Sequence, residues 1–168
     1  MGTTAPLRRR LSGGCATEPI TIDVLQPDDH AGREAAAAVL LASFDNPQRY
    51  DQARITAQLV PAEAPFYRHF FVARRGDAVV GAGGIKAADW AIDTHILYMS
   101  AVAEHVRGQG IARGLIAARI AWVMENFPNG RLLVSTARTG RFNRLGFRVV
   151  GKHESDGRRL MMMEFRRP

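Results

Sequence analysis

The sequence is poor in residues that anchor several common chemistries. Its one cysteine is Cys15, which excludes an intrachain disulfide and a zinc site built on cysteines. That thiol sits in a Gly/Ser/Thr-rich stretch, which speaks against a catalytic role. No apolar run approaches the ~18 residues that a membrane-spanning helix needs. Lysine is nearly absent, with Lys86 and Lys152 alone, so arginine carries the formal net charge of +7. Tyrosine is limited to Tyr50, Tyr67 and Tyr98.

What is present suits one globular domain. A chain of 168 residues can bury a substantial core. The segment before Pro19 has Arg8, Arg9 and Arg10 and no acid before Glu18. It lacks the apolar stretch of a secretory signal, and Pro6 stands where the myristoylation pattern wants Ser or Thr. We therefore expect a flexible basic arm over residues 1–18 and one domain over 19–168, in the cytoplasm. A second set of arginines, Arg107, Arg113, Arg138, Arg141 and Arg144, clusters in the sequence around a glycine-rich turn and after the helix that follows it. Clustered positive charge favours an anionic ligand. No common nucleic-acid-binding motif is present.

Periodicity places the elements. ITIDVLQ (20–26) alternates as a strand does. GREAAAAVLLASF (32–44) and YDQARITAQLV (50–60) read as helices. FYRHFFVARR (66–75) and AVVGAGGIKA (78–87) read as a β-hairpin, although Gly81, Gly83 and Gly84 weaken the second strand unless another backbone or group approaches closely there. DTHILYMSAV (93–102) is a further strand. Residues 110–127 carry Ile116, Ile120, Val123 and Phe127 as an apolar stripe, widened by Leu115 and Trp122, and predict a long helix. RLLVST (131–136) is a buried strand, TGRFNRLG (139–146) a short helix or turn, and FRVVGKHE (147–154) with RRLMMMEF (158–165) a closing hairpin. The order predicts an α/β (α+β) fold: a mixed, largely antiparallel sheet of six or seven strands with helices on both faces.

The turn VRGQGIA (106–112) precedes the long helix. Helix starts offer free N–H groups and partial positive charge, and glycines let a ligand approach the backbone. The combination binds phosphate. A Walker loop would need Gly-Lys-Ser/Thr, which is absent. A dinucleotide fingerprint would need a glycine where Arg113 stands.

Arg107-x-x-Gly110-x-Ala112 resembles the R/Q-x-x-G-x-G/A pyrophosphate signature of the GNAT N-acetyltransferase superfamily. Val102 stands five residues before Arg107, as in that family, and Leu115 and Ile116 match its helix positions. RLGFRVVG (144–151) is similar to the family's K-L-G-F-x-x-x-G run. The resemblance covers roughly residues 20–165. It implies a GNAT-like fold, acetyl-CoA as co-substrate, no metal, and direct transfer of an acetyl group to a primary amine in a ternary complex. The backbone of Ala101 and Val102 would pair with the pantetheine arm. The N–H groups of Gly108, Gln109, Gly110, Ile111 and Ala112 would hold the pyrophosphate, with Arg107 and Arg113 beside it. Phe142, where the family often has a tyrosine that protonates the leaving thiolate, can pack against the cofactor but cannot donate a proton.

For the base the candidate is His95, which lies near where many family members place a glutamate and whose ordinary pKa suits the task. Tyr98, a candidate proton donor together with Ser135 or water, falls on the opposite strand face by period two. Asp89 and Asp93 could attract a cationic amine or act as bases. Ser135 also stands near the place of a typical asparagine. The acceptor pocket should involve the two N-terminal helices and the loop 45–51. The resemblance leaves the acceptor unnamed and a homodimer open. Two other readings stand beside it: a non-catalytic acyl-CoA-binding module on the same fold, and a basic nucleic-acid-binding protein using its arginine tails.

Overall fold

The structure is a computed structural model that describes residues 18–168, so the expected basic arm lies outside the described residues except for Glu18. Seven strands form one sheet: β1 (Ile20–Val24), β2 (Arg68–Arg75), β3 (Ala78–Ala87), β4 (Thr94–Val102), β5 (Asn129–Thr136), β6 (Arg148–Ser155) and β7 (Arg158–Arg166). Their order is β1-β2-β3-β4-β5-β7-β6. Only β4 and β5 run parallel, and every other neighbouring pair is antiparallel. Four helices accompany them: α1 (His30–Ser43), α2 (Gln52–Leu59), α3 (Ile111–Asn126) and the short α4 (Thr139–Asn143). No helix among the described residues is long and apolar enough to cross a membrane.

Local chemistry sets the helix starts. The Asp29 carboxylate accepts from the Gly32 N–H at 2.8 Å and also pairs with Arg74 on β2 at 2.5 Å, so the cap of α1 is fastened to the sheet. Asp51 caps α2 by accepting from the Arg54 N–H at 2.8 Å. Small residues on α1, Ala36 and Ala37, are buried with Leu40 and let that helix lie close to the strands.

The sheet separates two cores. On one face Ala36, Leu40, Ile55, Phe70, Val72, Ala82 and Ala101 pack together beneath α1 and α2. On the other, α3 packs Ile111, Leu115, Ile116 and Val123 against Phe71, Ile85, Leu97 and Leu132. The stripe expected on α3 is rotated: Ile120 is half-buried, and Arg119, at 1% exposure, occupies the buried face. Room for it comes from β3. A Cβ at Gly83 would lie 2.7 Å from the Arg119 guanidinium carbon, and one at Gly84 would lie 2.7 Å from the Tyr98 ring. The glycines of β3 thus answer to close approach.

Candidate functional site

β4 and α3 meet in the turn that the sequence singles out. After Val102 the chain makes a single 3-10 turn at Glu104–Val106, and Val106 is fully buried as its anchor. Gly108 and Gly110 then adopt φ of +81° and +82°. Side chains avoid that region at a cost of ~1–2 kcal/mol, so the turn needs glycine twice. A Cβ at either position would meet nothing within 4 Å, so the space in front of the turn is open. Gly110 is the N-cap of α3 and offers no capping side chain. The first N–H engaged along the helix is that of Gly114, which donates to the Gly110 carbonyl at 3.0 Å. The N–H groups of Ile111, Ala112 and Arg113 have no partner within the helix and lie at the positive end of its dipole.

Side chains hold the turn in place. Arg107 donates from Nε to the Val102 carbonyl at 3.1 Å, which ties the strand end to the loop. Arg75, at the end of β2, donates to the side-chain oxygen of Gln109. Arg113 is exposed beside them.

Next to the turn the sheet opens. β4 pairs with β5 only from Thr94 to Leu97, against Arg131 to Val134. Beyond Leu97, β4 carries a bulge: between the pairs Tyr98–Gly84 and Ala101–Ala82, two residues of β4, Met99 and Ser100, oppose the single Gly83 of β3. Met99 takes a φ of +47° there. Bulges re-aim backbone groups and end pairing, and a left-handed methionine is the kind of strained position that gathers at functional sites. The Ala103 N–H donates to Val80 at 2.8 Å. By strand alternation the polar groups of Ala101 also face β3, while those of Val102 face the opening. Of these two positions, Ala101 has its polar groups turned to β3, and the Val102 N–H is turned away from it while the Val102 carbonyl accepts from Arg107.

The Acetyltransferase (GNAT) family profile matches residues 35–147. The chain belongs to the GNAT acetyltransferase family. Its fold is similar to that of ElaA from Escherichia coli, with a TM-score of 0.71 at 16% identity over 86% of this chain and 99% of that one. It is also similar to the ribosomal-protein-S18-alanine N-acetyltransferase from Escherichia coli, with a TM-score of 0.67 at 14% identity over 87% and 94% of the two chains. A third similar structure is the PaiA N-acetyltransferase from Thermoplasma acidophilum in complex with coenzyme A, with a TM-score of 0.61 at 11% identity over 88% and 99%. Among curated proteins, none matches the sequence.

This GNAT acyltransferase places its other candidate residues unevenly. His95 lies near the start of β4, five residues of strand or ~16 Å before Ser100, on the α3 face, with 2% exposure. Its ring packs on Phe127 with centroids 4.4 Å apart and lies near Tyr67 and Phe165. Nδ1 sits 2.7 Å from the Tyr67 hydroxyl, and Nε2 is buried without a partner. Burial lowers the His95 pKa, with Asp93 opposing the shift. The same effect raises that of Tyr67, so the phenol stays protonated and shares a hydrogen bond with Nδ1 whose direction follows the imidazole tautomer. The structure does not bring His95 to the opening at the end of β4, because the imidazole closes an aromatic cluster at the far end of α3.

Tyr98 faces the α1/α2 core instead, as period two requires. Burial raises its pKa, with Arg68 opposing the shift, and its ring packs edge-on against Phe70 at 5.5 Å. Phe142 is 6% exposed and packs edge-on against Phe147 at 5.3 Å. It supports α4 from inside the core rather than presenting a surface to the turn. Ile111 is likewise buried, so it can offer a ligand only its N–H.

One participant is not legible in the sequence. The buried Arg119 donates from Nε to the Leu115 carbonyl at 2.9 Å, from one terminal nitrogen to the Gly84 carbonyl at 2.9 Å, and from the other to the Ser100 hydroxyl at 2.6 Å. Burial lowers its pKa to about 9, which leaves it charged at neutral pH. Ser100 is exposed at the bulge. Because its oxygen accepts from Arg119, its own proton is free to point outward.

Proposed function

We propose that this acyltransferase moves the acetyl group of acetyl-CoA directly to a primary amine, with both substrates bound at once. The observation that carries this proposal is the pair of left-handed glycines, Gly108 and Gly110, with open space where side chains would begin. A pyrophosphate fits there: the N–H groups of Gly108 to Ala112 converge on it, with Arg107 and Arg113 supplying charge. The outward N–H of Val102, whose carbonyl accepts from Arg107, suits the pantetheine arm. Acetyl-CoA supplies a thioester whose acyl carbon accepts the amine nitrogen as the sulfur leaves.

The protein's part is to orient and to stabilise. Ser100 is a hydroxyl donor at the bulge, aligned by the Arg119 guanidinium, where negative charge develops on the thioester oxygen. Tyr98 stays protonated and serves as a hydrogen-bond donor on the acceptor side, not as a base. His95 takes no proton from the amine in this scheme; that proton and the one for the thiolate are exchanged with water in the opening between β4 and β5.

Thermal unfolding with and without acetyl-CoA tests the first half, since a ligand bound only to the native state raises the midpoint. Release of free thiol across an amine panel tests the second. Absence of any midpoint shift at millimolar acetyl-CoA defeats the proposal.

A further inference from the structure

A cavity of about 250 Å³ opens on the α1/α2 side of the sheet, bounded by Phe66, Arg68, Lys86, Asp89, Trp90 and Ile96. Its floor has an unusual pairing. Arg68 on β2 and Lys86 on β3 are direct cross-strand partners, and like charges placed opposite each other destabilise a sheet. Among the described residues the ion pairs join Arg54 to Asp51, Arg74 to Asp29 and Arg148 to Glu164. Neither Arg68 nor Lys86 takes part in one, and Asp89, on the wall of the same cavity, is paired with neither.

Three donors in this corner lack a conventional acceptor. The Nε of Arg68 is buried without a partner, and so is the Tyr98 hydroxyl. The Lys86 ammonium lies 4.7 Å from the centre of the Tyr98 ring, in a cation–π contact and not an ion pair. Buried polar groups are hydrogen-bonded almost without exception, and clustered orphan donors of one polarity are best explained by a missing acceptor. At the rim, Phe66 and Trp90 are exposed at 44% and 69% and present apolar surface.

We infer that this corner binds an anionic group of the acceptor, a carboxylate or a phosphate, held by Arg68 and Lys86, which line the cavity. The assignment rests on the acetyl-transfer proposal, because it takes the amine to react at the bulge of β4. From the row of Tyr98 or Ile96 to Ser100 the strand runs ~7–13 Å. The acceptor is therefore an amine joined by an apolar spacer to a remote anion, the shape of an ω-amino acid or of a lysine side chain with its own carboxylate. A bound anion also removes the repulsion between the two cations.

Matched acceptors decide the matter. With acetyl-CoA saturating and thiol release as readout, 6-aminohexanoate is compared with its amide and with hexylamine, and 6-aminohexyl phosphate with 6-aminohexanol. The charged member of at least one pair is expected to show kcat/KM ~10-fold or more above its neutral partners, because a neutral partner leaves the cations unpaired. The pair with the larger ratio distinguishes carboxylate from phosphate. Arg68→Gln and Lys86→Gln should each bring that ratio toward one, while leaving the melting temperature of the free protein unchanged or higher. A second readout does not depend on turnover: without acetyl-CoA, 6-aminohexanoate or 6-aminohexyl phosphate should raise the melting temperature of the wild type more than its neutral partners do, and not that of the variants. If every pair reacts equally and no anion gives such a shift, the anion site is refuted while acetyl transfer stands. If acetyl-CoA gives no shift and no amine releases thiol, transfer is refuted, and the anion shifts still decide whether the corner binds an anion.

Discussion

Gly110 and Gly157 give a matched pair for testing the pyrophosphate turn. Both are left-handed, with φ of +82° and +66°, and a Cβ at either would meet nothing within 4 Å. Gly110 caps α3, whereas Gly157 lies in the β6–β7 hairpin. Alanine should strain each backbone by ~1–2 kcal/mol, and for a domain of this size each kcal/mol lowers the midpoint by ~2–4 °C. In the free protein the two variants should therefore lose a similar ~2–8 °C. With acetyl-CoA they should diverge. A ligand at a hundred times its Kd adds ~2.7 kcal/mol to the native state, and Gly157→Ala should keep all of it. At Gly110 the new methyl enters the space proposed for the pyrophosphate; if Kd rises ~10-fold, about half of that stabilisation disappears. Differential scanning fluorimetry over a range of acetyl-CoA concentrations measures both quantities. Equal ligand-induced shifts in the two variants would show that the turn is only a connection between β4 and α3.

Three further outcomes follow from the buried groups. Arg119→Ala should cost ~3–5 kcal/mol in urea unfolding, because it empties a packed site and strands the buried Gly84 carbonyl; Arg119→Met, which keeps most of the volume, should cost clearly less, and equal costs would contradict the role given to packing. Phe142→Tyr should lower stability by ~1–3 kcal/mol without raising kcat, since its hydroxyl would be buried without a partner; a faster enzyme would mean that residue 142 reaches the thiolate. The His95 pKa is depressed in the folded state, so between that value and the ordinary ~6.5 the unfolded chain binds more protons and stability falls as the pH drops; His95→Gln should reduce the loss of melting temperature between about pH 7.5 and about pH 5.5, the remainder reflecting the similarly depressed His69, and an unchanged loss would contradict the buried, neutral state.

The strands and helices were legible because their signals are local. Alternation marks β1, the run of alanine and leucine marks α1, and Gly108 and Gly110 mark a turn. What escaped depends on distance in space. Arg119 sits in an apolar stripe and reads as an interruption; only the missing side chain at Gly83 makes it a core residue. His95 and Val102 share a strand, and the sequence does not say that pairing with β5 stops at Leu97, so the histidine looked nearer to the chemistry than it is. Phe142 was placed by its motif, but a motif fixes spacing and not which way a ring turns. The acceptor corner needed the register of β2 against β3, which sets Arg68 opposite Lys86.

The strand order has a consequence for how the chain is made. β7 is the last of the seven strands in sequence, yet it lies inside the sheet between β5 and β6. Until Arg158–Arg166 have left the ribosome, β5 has no antiparallel partner, and its Leu132, Leu133 and Val134 lack the neighbours Met161, Met162 and Met163. A nascent chain that has already formed the glycine turn and α3 would still hold an open apolar edge beside the opening between β4 and β5. β5 is at once the far wall of that opening and a strand that waits for a partner made later, so this side of the sheet closes only after Arg158–Arg166 have emerged.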